Sequence, residues 1–220
     1  MIQYKGHYGD DLFIVNVARQ STNRWKTEFD AEDERLIRYL AREQHISPFF
    51  QPKVTIQVQT SFAIARQWER HRIGVSRLDD FSDVNEMSRR YVDTEPTFFR
   101  PDKWRSKPEN RIKQGSGDPL PDDVQAILND EYEQFLKDAT LFYNVLLEMG
   151  VAPEQARLPL PVATETRWIE TGSLHYWWRF YVMRSDPHAQ KEIRDLADEV
   201  RAIVAPRFPM AWSAFEEYHK

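Results

Sequence analysis

The sequence predicts a single α/β (α+β) domain over residues 1–220, with a small, mainly antiparallel sheet from the N-terminal half packed by several helices. Three observations support this prediction. The length of 220 residues suits one domain with a sizeable core and is short for two. Val54, Ile56 and Val58 alternate with polar residues, which is the period of a half-buried strand. In the C-terminal half, long segments repeat apolar residues at the 3.6-residue period of a helix.

In the N-terminal half, residues 12–19 (LFIVNVAR) are predicted as a strand, because β-branched and aromatic side chains dominate them. Residues 30–43 have a helical apolar stripe, and Asp30 is expected to be the N-cap of that helix. The two prolines in 45–52 indicate a loop before the alternating strand. Residues 61–72 are predicted as a second helix.

In the C-terminal half, residues 100–121 are polar and rich in Pro and Gly, which predicts a long loop. Gly150 is expected to end the helix that follows this loop. The helices predicted in this half span 122–149, a short segment from Pro153, 171–183, and a segment beginning at Asp186-Pro187.

Composition excludes several classes of function. The absence of cysteine rules out disulfides, thiolate metal sites and a Cys nucleophile, and no spacing typical of metal ligands is present. No apolar run is long enough for a membrane span, and the N-terminus lacks a signal-peptide core, so a cytoplasmic location is expected. The net charge of -5 disfavours a nucleic-acid-binding module, which is the alternative suggested by Phe98, Arg100 and Trp104. Arginines cluster at 66–77 and 89–100, which suits a small anionic ligand.

Two arginine-rich segments have two interpretations each. Residues 67–72 (QWERHR) place three basic or titratable side chains around a helix end, where they could hold different phosphates or merely complement the helix dipole. Residues 85–91 (NEMSRRY) place Ser88 and Arg90 so that they could bind a nucleotide phosphate, or form an ordinary capped turn.

Four other residues are also candidates. Arg157 precedes an apolar Leu-Pro-Leu-Pro run, so it is expected to be paired or to face a ligand. Arg184 precedes a predicted helix N-terminus, which favours anions, although an ion pair with Asp186 is the alternative. His188 is a candidate at the start of the same predicted helix, and the alternative to a functional role is a surface position in the first turn of that helix. Lone histidines such as His45 are more often structural than catalytic.

Together and in this order, these segments resemble the flavin-dependent thymidylate synthases. That family is marked by Arg-His-Arg, seven residues and Ser, within the longer pattern RQWxRHR…NExSxRY. Residues 66–72 and 85–91 match the two halves of the pattern. Four further blocks resemble the family: 18–21 (ARQS), 36–49 (LIRYL…HISPF), 156–161 (ARLPLP) and 184–190 (ending AQ).

The resemblance implies an enzyme that methylates dUMP to dTMP. The carbon would come from 5,10-methylenetetrahydrofolate and the hydride from reduced FAD, which NADPH recharges. It also implies a homotetramer with active sites between subunits, and no partnership with nucleic acid or membrane. The lack of cysteine agrees with this, because the unrelated thymidylate synthases add a Cys thiolate to the uracil ring. A same-fold flavoenzyme that makes another product, such as hydroxymethyl-dUMP, or uses a different pyrimidine nucleotide is the alternative.

The resemblance also assigns roles to residues. Arg184 would be the catalytic cation near uracil N3 and O4, and His45 would lie near the flavin and folate. The expected dUMP-binding residues are Gln67, Arg70, Glu86, Met87, Ser88, Arg89, Arg90, Arg157 and Arg184. The expected FAD-binding residues are Ser21, Ser47, Arg70, His71, Arg72, Glu86, Ser173, His175, Arg179 and His188.

The chain departs from the family pattern in two places. Fifteen residues, 73–87, separate Arg72 from Ser88 where the family has seven. The eight extra residues fall within 74–84. They are expected to act as a lid, to reshape the folate entrance, or to form a solvent-facing loop without a role. The second departure is at an Asn-x-Arg flavin contact, where this chain has Ser173 and His175 and where Arg179 is the expected substitute.

Overall fold

A computed structural model describes residues 1–70, 83–91, 94–108 and 115–218. These residues form a four-stranded sheet and eight α-helices, which confirms the predicted combination of a small sheet with several helices. The strands are β1 (Ile2–Tyr8), β2 (Lys53–Ser61), β3 (Asp83–Glu86) and β4 (Glu165–Ser173). The helices are α1 (Asp11–Arg19), α2 (Ala31–Arg42), α3 (Phe62–Glu69), α4 (Asp122–Glu148), α5 (Pro153–Ala156), α6 (Leu174–Arg184), α7 (Lys191–Val204) and α8 (Pro209–Tyr218).

The strands lie in the order β1-β2-β4-β3. β1 pairs antiparallel with β2, and Tyr4 lies opposite Ile56. Side-chain hydrogen bonds join Thr55 to Thr171 and Gln59 to Glu165, so the residue number falls along β4 as it rises along β2. These two strands are therefore antiparallel as well. The sequence predicted a sheet from the N-terminal half alone. This is wrong for one strand, because the inner strand β4 comes from the C-terminal half.

The strand predicted at 12–19 is wrong, because this segment is helix α1. Gly9 adopts a positive φ of 82°, which turns the chain immediately before the helix. The Asp10 carboxylate then accepts a hydrogen bond from the Phe13 N–H at 2.7 Å, as an N-cap does. Ile14 and Val15 are buried side by side. An uninterrupted apolar run does not distinguish a buried helix from a buried strand, and here the capping aspartate decides.

The other segments agree with the prediction in kind and differ in their ends. In α2, Asp30 and Asp33 form the full reciprocal capping box. Gly150 ends α4 with a positive φ of 83°. The loop at 45–52 contains a 3₁₀ turn, Ser47–Phe50, and α3 is shorter than predicted.

The last two predicted helices of the C-terminal half begin later than expected. Residues 171–173 belong to β4, and α6 begins at Leu174. α7 begins at Lys191 rather than at Asp186-Pro187. The Asp186 carboxylate does accept the His188 N–H at 2.7 Å, but this bond belongs to a single turn closed by the Ala189 N–H on the Asp186 carbonyl.

Two strand–helix junctions have the same design. β2 runs directly into α3 and β4 runs directly into α6, without a connecting loop. In each case a buried serine ends the strand, and its hydroxyl accepts the N–H of the third residue of the helix: Ser61 from Ile64 at 3.4 Å, and Ser173 from Tyr176 at 3.0 Å. The sheet therefore fixes the start of both helices, and both contain expected site residues.

The described residues fall into two compact units, 1–58 with 70–85 and 169–220, and 59–69 with 86–168. In the first, Trp178 packs against Trp212 and Phe215, with ring centroids 5.2 and 5.3 Å away. In the second, Trp68 and Trp168 pack edge to face at 5.5 Å. The single-domain assignment stays a prediction. None of the helices in the described ranges is long and apolar enough to cross a membrane.

Asp11, the first residue of α1, binds the start of helix α8 through hydrogen bonds. Its buried carboxylate accepts the backbone N–H groups of Met210 and Ala211 at 2.8 and 3.0 Å, and so caps α8. Burial raises the pKa of Asp11 to about 6, although the two N–H groups act in the opposite direction. The Ile2 N–H likewise donates to the Glu199 carboxylate at 2.6 Å. The first and last elements of the chain therefore depend on each other.

Candidate functional site

In the second unit, the expected phosphate-binding residues lie on one anchored turn, which we call the Ser88 loop (residues 87–91). Glu86 ends β3, and its carboxylate accepts the Thr166 hydroxyl of β4 at 2.5 Å. The Met87 N–H donates to the Arg167 carbonyl at 2.8 Å. Two hydrogen bonds to β4 thus fix the point at which this loop leaves the sheet.

Within this loop, the structure brings Ser88 and Arg90 together. The backbone N–H and the Nε of Arg90 donate to the Ser88 hydroxyl at 3.3 and 3.2 Å. The Tyr91 N–H closes the turn on the Ser88 carbonyl. Arg90 is exposed, whereas Arg89 between them is buried. A hydroxyl and a guanidinium held side by side at the surface can bind an anion.

The other two nucleotide contacts expected in this unit lie on α3 and after α5. Gln67 is half-buried on α3. Arg157 is exposed, and within the described ranges its side chain bonds only to the Glu154 carbonyl, at 3.3 Å. Leu158 beside it is 79% exposed, so the apolar run that follows Arg157 is not part of the core.

In the first unit, the structure brings Arg70 and Arg184 close enough to repel each other. Arg70 follows α3 and Arg184 is the last residue of α6. Burial lowers the pKa of the Arg184 guanidinium, the positive charge of Arg70 lowers it further, and the Tyr176 phenol raises it. Two neighbouring cations, one of them half-buried, favour an anionic ligand between or beside them.

The ion pair of Arg184 with Asp186, which was the alternative role for this arginine, is not formed between these two described residues. The Asp186 carboxylate instead holds the backbone N–H and the ring Nδ1 of His188, at 2.7 and 2.9 Å. The His188 N–H and ring lower the pKa of Asp186. His188 itself is exposed.

A cavity of about 430 Å³ in the first unit joins two expected flavin contacts. His175 and Arg179, one turn apart on α6, line it together with the aromatic rings of Trp178 and Phe215. The Phe50 ring lies edge-on to His175 at 5.0 Å. Gln44 and Ile46, the neighbours of His45, complete this wall. Aromatic surface beside an imidazole and a guanidinium suits a planar, anionic cofactor.

The remaining expected flavin and catalytic residues are dispersed. Ser173 is fully buried, and its hydroxyl is engaged in the cap of α6. Ser21, His45 and Ser47 are exposed. Ser21 donates to the Ala18 carbonyl at 3.2 Å, and the His45 ring lies edge-on to Tyr39 at 5.7 Å. His71, Arg72 and most of the eight-residue insertion lie outside the described residues.

Sequence reasoning missed two polar contacts of β4. Thr166 holds Glu86, and the buried Glu170 accepts the hydroxyl of the buried Tyr176. Thr166, Trp168 and Glu170 alternate along β4 and all three are buried, as on the buried face of a strand. Two of these three residues are polar, so the strand has no apolar alternation that would identify its buried face from the sequence.

Comparisons with known proteins identify the family of the chain. The family model described as "Thymidylate synthase complementing protein" matches residues 2–210. A flavin-dependent thymidylate synthase of Thermus thermophilus is 39% identical over 210 residues, covering 96% of this chain and 73% of that protein. The Anaplasma marginale protein of the same name is 36% identical over 217 residues, covering 97% and 70%.

A solved structure with the same fold is the UMP/dUMP methylase PolB from Streptomyces cacaoi bound with 5-Br dUMP. It has a TM-score of 0.84 and 28% sequence identity, and the match covers 99% of this chain and 95% of that one. The family match spans nearly the whole chain and includes the Ser88 loop, Arg70 and the whole of helix α6 with Arg184. The chain therefore belongs to the flavin-dependent thymidylate synthase family.

Proposed function

We propose that the protein converts dUMP to dTMP, taking the carbon from 5,10-methylenetetrahydrofolate and the hydride from reduced FAD, which NADPH recharges. The observation that supports this most directly is the Arg70–Arg184 pair within a chain of this family. Membership makes the protein a flavin-dependent methyltransferase, and the two neighbouring cations favour the binding of an anionic group.

The uracil ring must be activated without a covalent adduct to sulfur, because the chain contains no cysteine. C5 attacks the one-carbon unit carried by the folate only if the ring is electron-rich, as it is when N3 is deprotonated and the negative charge is shared by N3, O4 and C5. The half-buried Arg184 guanidinium would stabilise this charge, because a cation is more effective where water is partly excluded. Arg70 repels the positive charge of Arg184, and an anion bound beside the two arginines would relieve this repulsion.

The nucleotide phosphate would bind at the Ser88 loop. Ser88 and Arg90 provide a hydroxyl and a guanidinium there, and Arg157 is a further exposed guanidinium. Glu86 is oriented by Thr166 toward a fixed position, so it could accept a hydrogen bond from the nucleotide sugar or base. The assignments of Gln67 and Met87 to the same nucleotide stay predictions.

FAD fits the α6 cavity by chemistry. His175 and Arg179, flanked by Trp178 and Phe215, would hold part of the cofactor, with Ser47, Ser21 and His188 as further expected contacts. When reduced and bound, FAD supplies the hydride that completes the methyl group. The residues of α6 would orient it and exclude water from its faces.

The homotetramer also belongs to this proposal, and helix α4 supports it. Its buried face contains Leu136, Ala139 and Tyr143. On another face of the same helix, large apolar side chains are exposed: Ile127, Phe135, Leu141, Phe142, Val145 and Met149. At about 100° per residue these six lie within roughly 120° of the circumference. Exposed Glu131, Gln134 and Asp138 interrupt this stripe in its first half, and it is continuous from Leu141 to Met149. Exposed apolar stripes of this kind mark protein–protein interfaces, and a second copy of the chain is the expected occupant.

A cytoplasmic location stays part of the proposal.

A second candidate is methylation of UMP as well as dUMP. It is favoured by the similarity to the UMP/dUMP methylase PolB, whose solved structures include one with 5-Br UMP, at a TM-score of 0.84 and 26% identity. Hydroxymethylation of dUMP remains the third outcome.

One experiment separates these products. The FAD-loaded protein is incubated with methylenetetrahydrofolate, NADPH and an equal mixture of dUMP and UMP, and the nucleotides are analysed by mass spectrometry. We expect dTMP. A comparable yield of 5-methyl-UMP supports the second candidate, hydroxymethyl-dUMP supports the third, and no C5-modified nucleotide contradicts the proposal. The matched control is Arg184→Ala, which should bind FAD normally, by its absorbance spectrum, and form no product.

A further inference from the structure

The Ser88 loop contains a buried arginine where the family pattern NExSxRY leaves the residue open. Arg89 is only 5% exposed, although Arg90 beside it is exposed. Its Nη1 donates to the Thr94 carbonyl at 2.9 Å. This bond ties the far side of the loop, beyond Tyr91, to its centre, while the Met87 N–H ties the near side to β4.

The charge of Arg89 is not balanced by any carboxylate in the described part of the chain. Its buried Nε has no hydrogen-bond partner there. The charged residues of the loop and its neighbours are otherwise engaged or exposed: Glu86 holds Thr166, Arg90 holds Ser88, Arg167 holds Gln59, and Glu95 is exposed. A buried cation without a counter-ion is costly, and a bound anion relieves that cost.

The position of the guanidinium indicates how it acts. Because Arg89 is almost wholly buried, it does not present its fork to a ligand at the surface, as a direct nucleotide contact would. It belongs to the turn that presents Ser88 and Arg90, and its positive charge adds to that of Arg90. Two unit charges interact more strongly where the surroundings are less polar than water, so the field of this charge reaches the adjacent ligand.

We propose that Arg89 is a positioning residue that closes the Ser88 loop and, through its buried charge, makes the site select the doubly ionised form of the nucleotide phosphate. This rests on the proposed function, because it takes dUMP as the ligand of the loop. A phosphate monoester gains its second charge at a pKa near about 6. An added fixed cation stabilises the dianion more than the monoanion, so Arg89 should steepen the gain in affinity as the pH rises through that value.

The test is calorimetric titration of FAD-loaded protein with dUMP at about pH 5.5 and about pH 7.5, on either side of the phosphate pKa, with deoxyuridine as the ligand that lacks the phosphate. In Arg89→Met we expect dUMP to bind roughly tenfold more weakly at the higher pH and to lose less affinity at the lower pH, because a nearby positive charge is removed and the dianion is attracted more strongly than the monoanion. Deoxyuridine binding should not change. Arg89→Lys should keep the pH preference, because it keeps the charge. Arg35→Met removes a charge from an exposed position on α2 and should behave like the wild type.

The outcomes are distinguishable. An equal loss of affinity at both pH values, or a parallel loss for deoxyuridine, would mean that Arg89 supports the loop only structurally, and would overturn the charge-selection role. Failure of Arg89→Lys to retain the preference would overturn it too. If the wild type binds no dUMP at either pH, the proposed function falls, and this inference falls with it. Thermal melts of each variant identify any general loss of folding.

Discussion

The guanidinium of Arg184 is positively charged in surroundings that oppose the charge, because burial and the neighbouring Arg70 both lower its pKa. An arginine stays protonated there, since its ordinary pKa lies far above neutral. This explains why the proposed reaction needs arginine rather than any cation at the end of α6.

Arg184→Lys tests this interpretation. A lysine ammonium has an ordinary pKa about two or more units below that of arginine, and the same surroundings would lower it further. The cation should therefore be lost as the pH rises. We expect the variant to retain partial activity near neutrality and to lose it progressively at alkaline pH, where the wild type does not. Parallel pH–rate profiles of the two proteins would contradict this.

Thr166 orients Glu86 through one hydroxyl, and Thr166→Val removes that donor while nearly preserving the shape. A hydrogen bond to a charged group is worth about 1.5–3 kcal/mol. We expect KM for dUMP to rise roughly tenfold or more with little change in FAD affinity. Thr171→Val, which breaks the Thr55–Thr171 bond elsewhere on β4, is the control. Equal kinetics for the two variants would show that Glu86 does not depend on Thr166.

Asp11 makes stability depend on pH. Burial raises its pKa from the ordinary 3.8 to about 6, so between these values the folded state holds a proton that the unfolded chain has released. The contribution of Asp11 to the free energy of unfolding is therefore complete below about pH 4 and is lost as the pH rises through about 6, by about 3 kcal/mol. Urea titrations of the wild type and of Asp11→Asn should be compared from about pH 4 to about pH 7. We expect the free energy of unfolding of the wild type to fall relative to that of the variant as the pH rises through about 6. A constant difference would refute the shifted pKa.

At the scale of elements, the strand–helix junctions give serine a structural role that competes with ligand binding. Ser173 is in the position expected to contact flavin, yet its hydroxyl caps α6. Removing an N-cap costs about 1 kcal/mol. We expect Ser173→Ala to lower the free energy of unfolding by this amount and to leave the Kd for FAD unchanged, as measured by denaturant titration and flavin fluorescence. Ser61→Ala, whose bond is longer at 3.4 Å, should cost less. A selective loss of FAD affinity would restore the flavin role of Ser173.

The elements that could be predicted from the sequence were those with unambiguous local signals. Asp30 with Asp33, and Gly150 after a long periodic run, mark helix ends by chemistry that acts within a few residues. α1 and β4 could not be identified in this way. α1 is apolar without interruption, and the start of α6 depends on where β4 leaves the sheet, which is a tertiary property.

The site shows the same division. The ordered motifs placed Ser88, Arg90, Arg70 and Arg184 among the residues expected to bind one nucleotide, and the structure brings Ser88 next to Arg90 and Arg70 near Arg184. They could not reveal that Arg89 is buried or that Thr166 holds Glu86, because those facts depend on contacts between segments far apart in the sequence.

At the scale of the whole molecule, the apolar stripe of α4 should determine assembly. Phe142 is 53% exposed and Met149 is 77% exposed on this stripe. A charge placed among such side chains is expensive to bury. We expect Phe142→Glu to shift the protein from a tetramer to smaller species, measured by light scattering, and to reduce turnover in proportion.

The control for that variant is Asn144→Glu, which adds the same charge to an exposed position on a different face of α4. It should leave the assembly intact. If Phe142→Glu remains tetrameric, the stripe is not the interface between copies.

The contact of Asp11 with Met210 and Ala211 also has a consequence for synthesis of the chain. Helix α1 leaves the ribosome long before α8, yet the two share one buried carboxylate, so the first unit cannot complete its core until α8 has emerged. Contacts between such distant residues also slow folding, because the intervening chain must first be ordered. We infer that the nascent chain stays incompletely folded until then, so that chaperone dependence should be greatest for chains stalled just before Pro209.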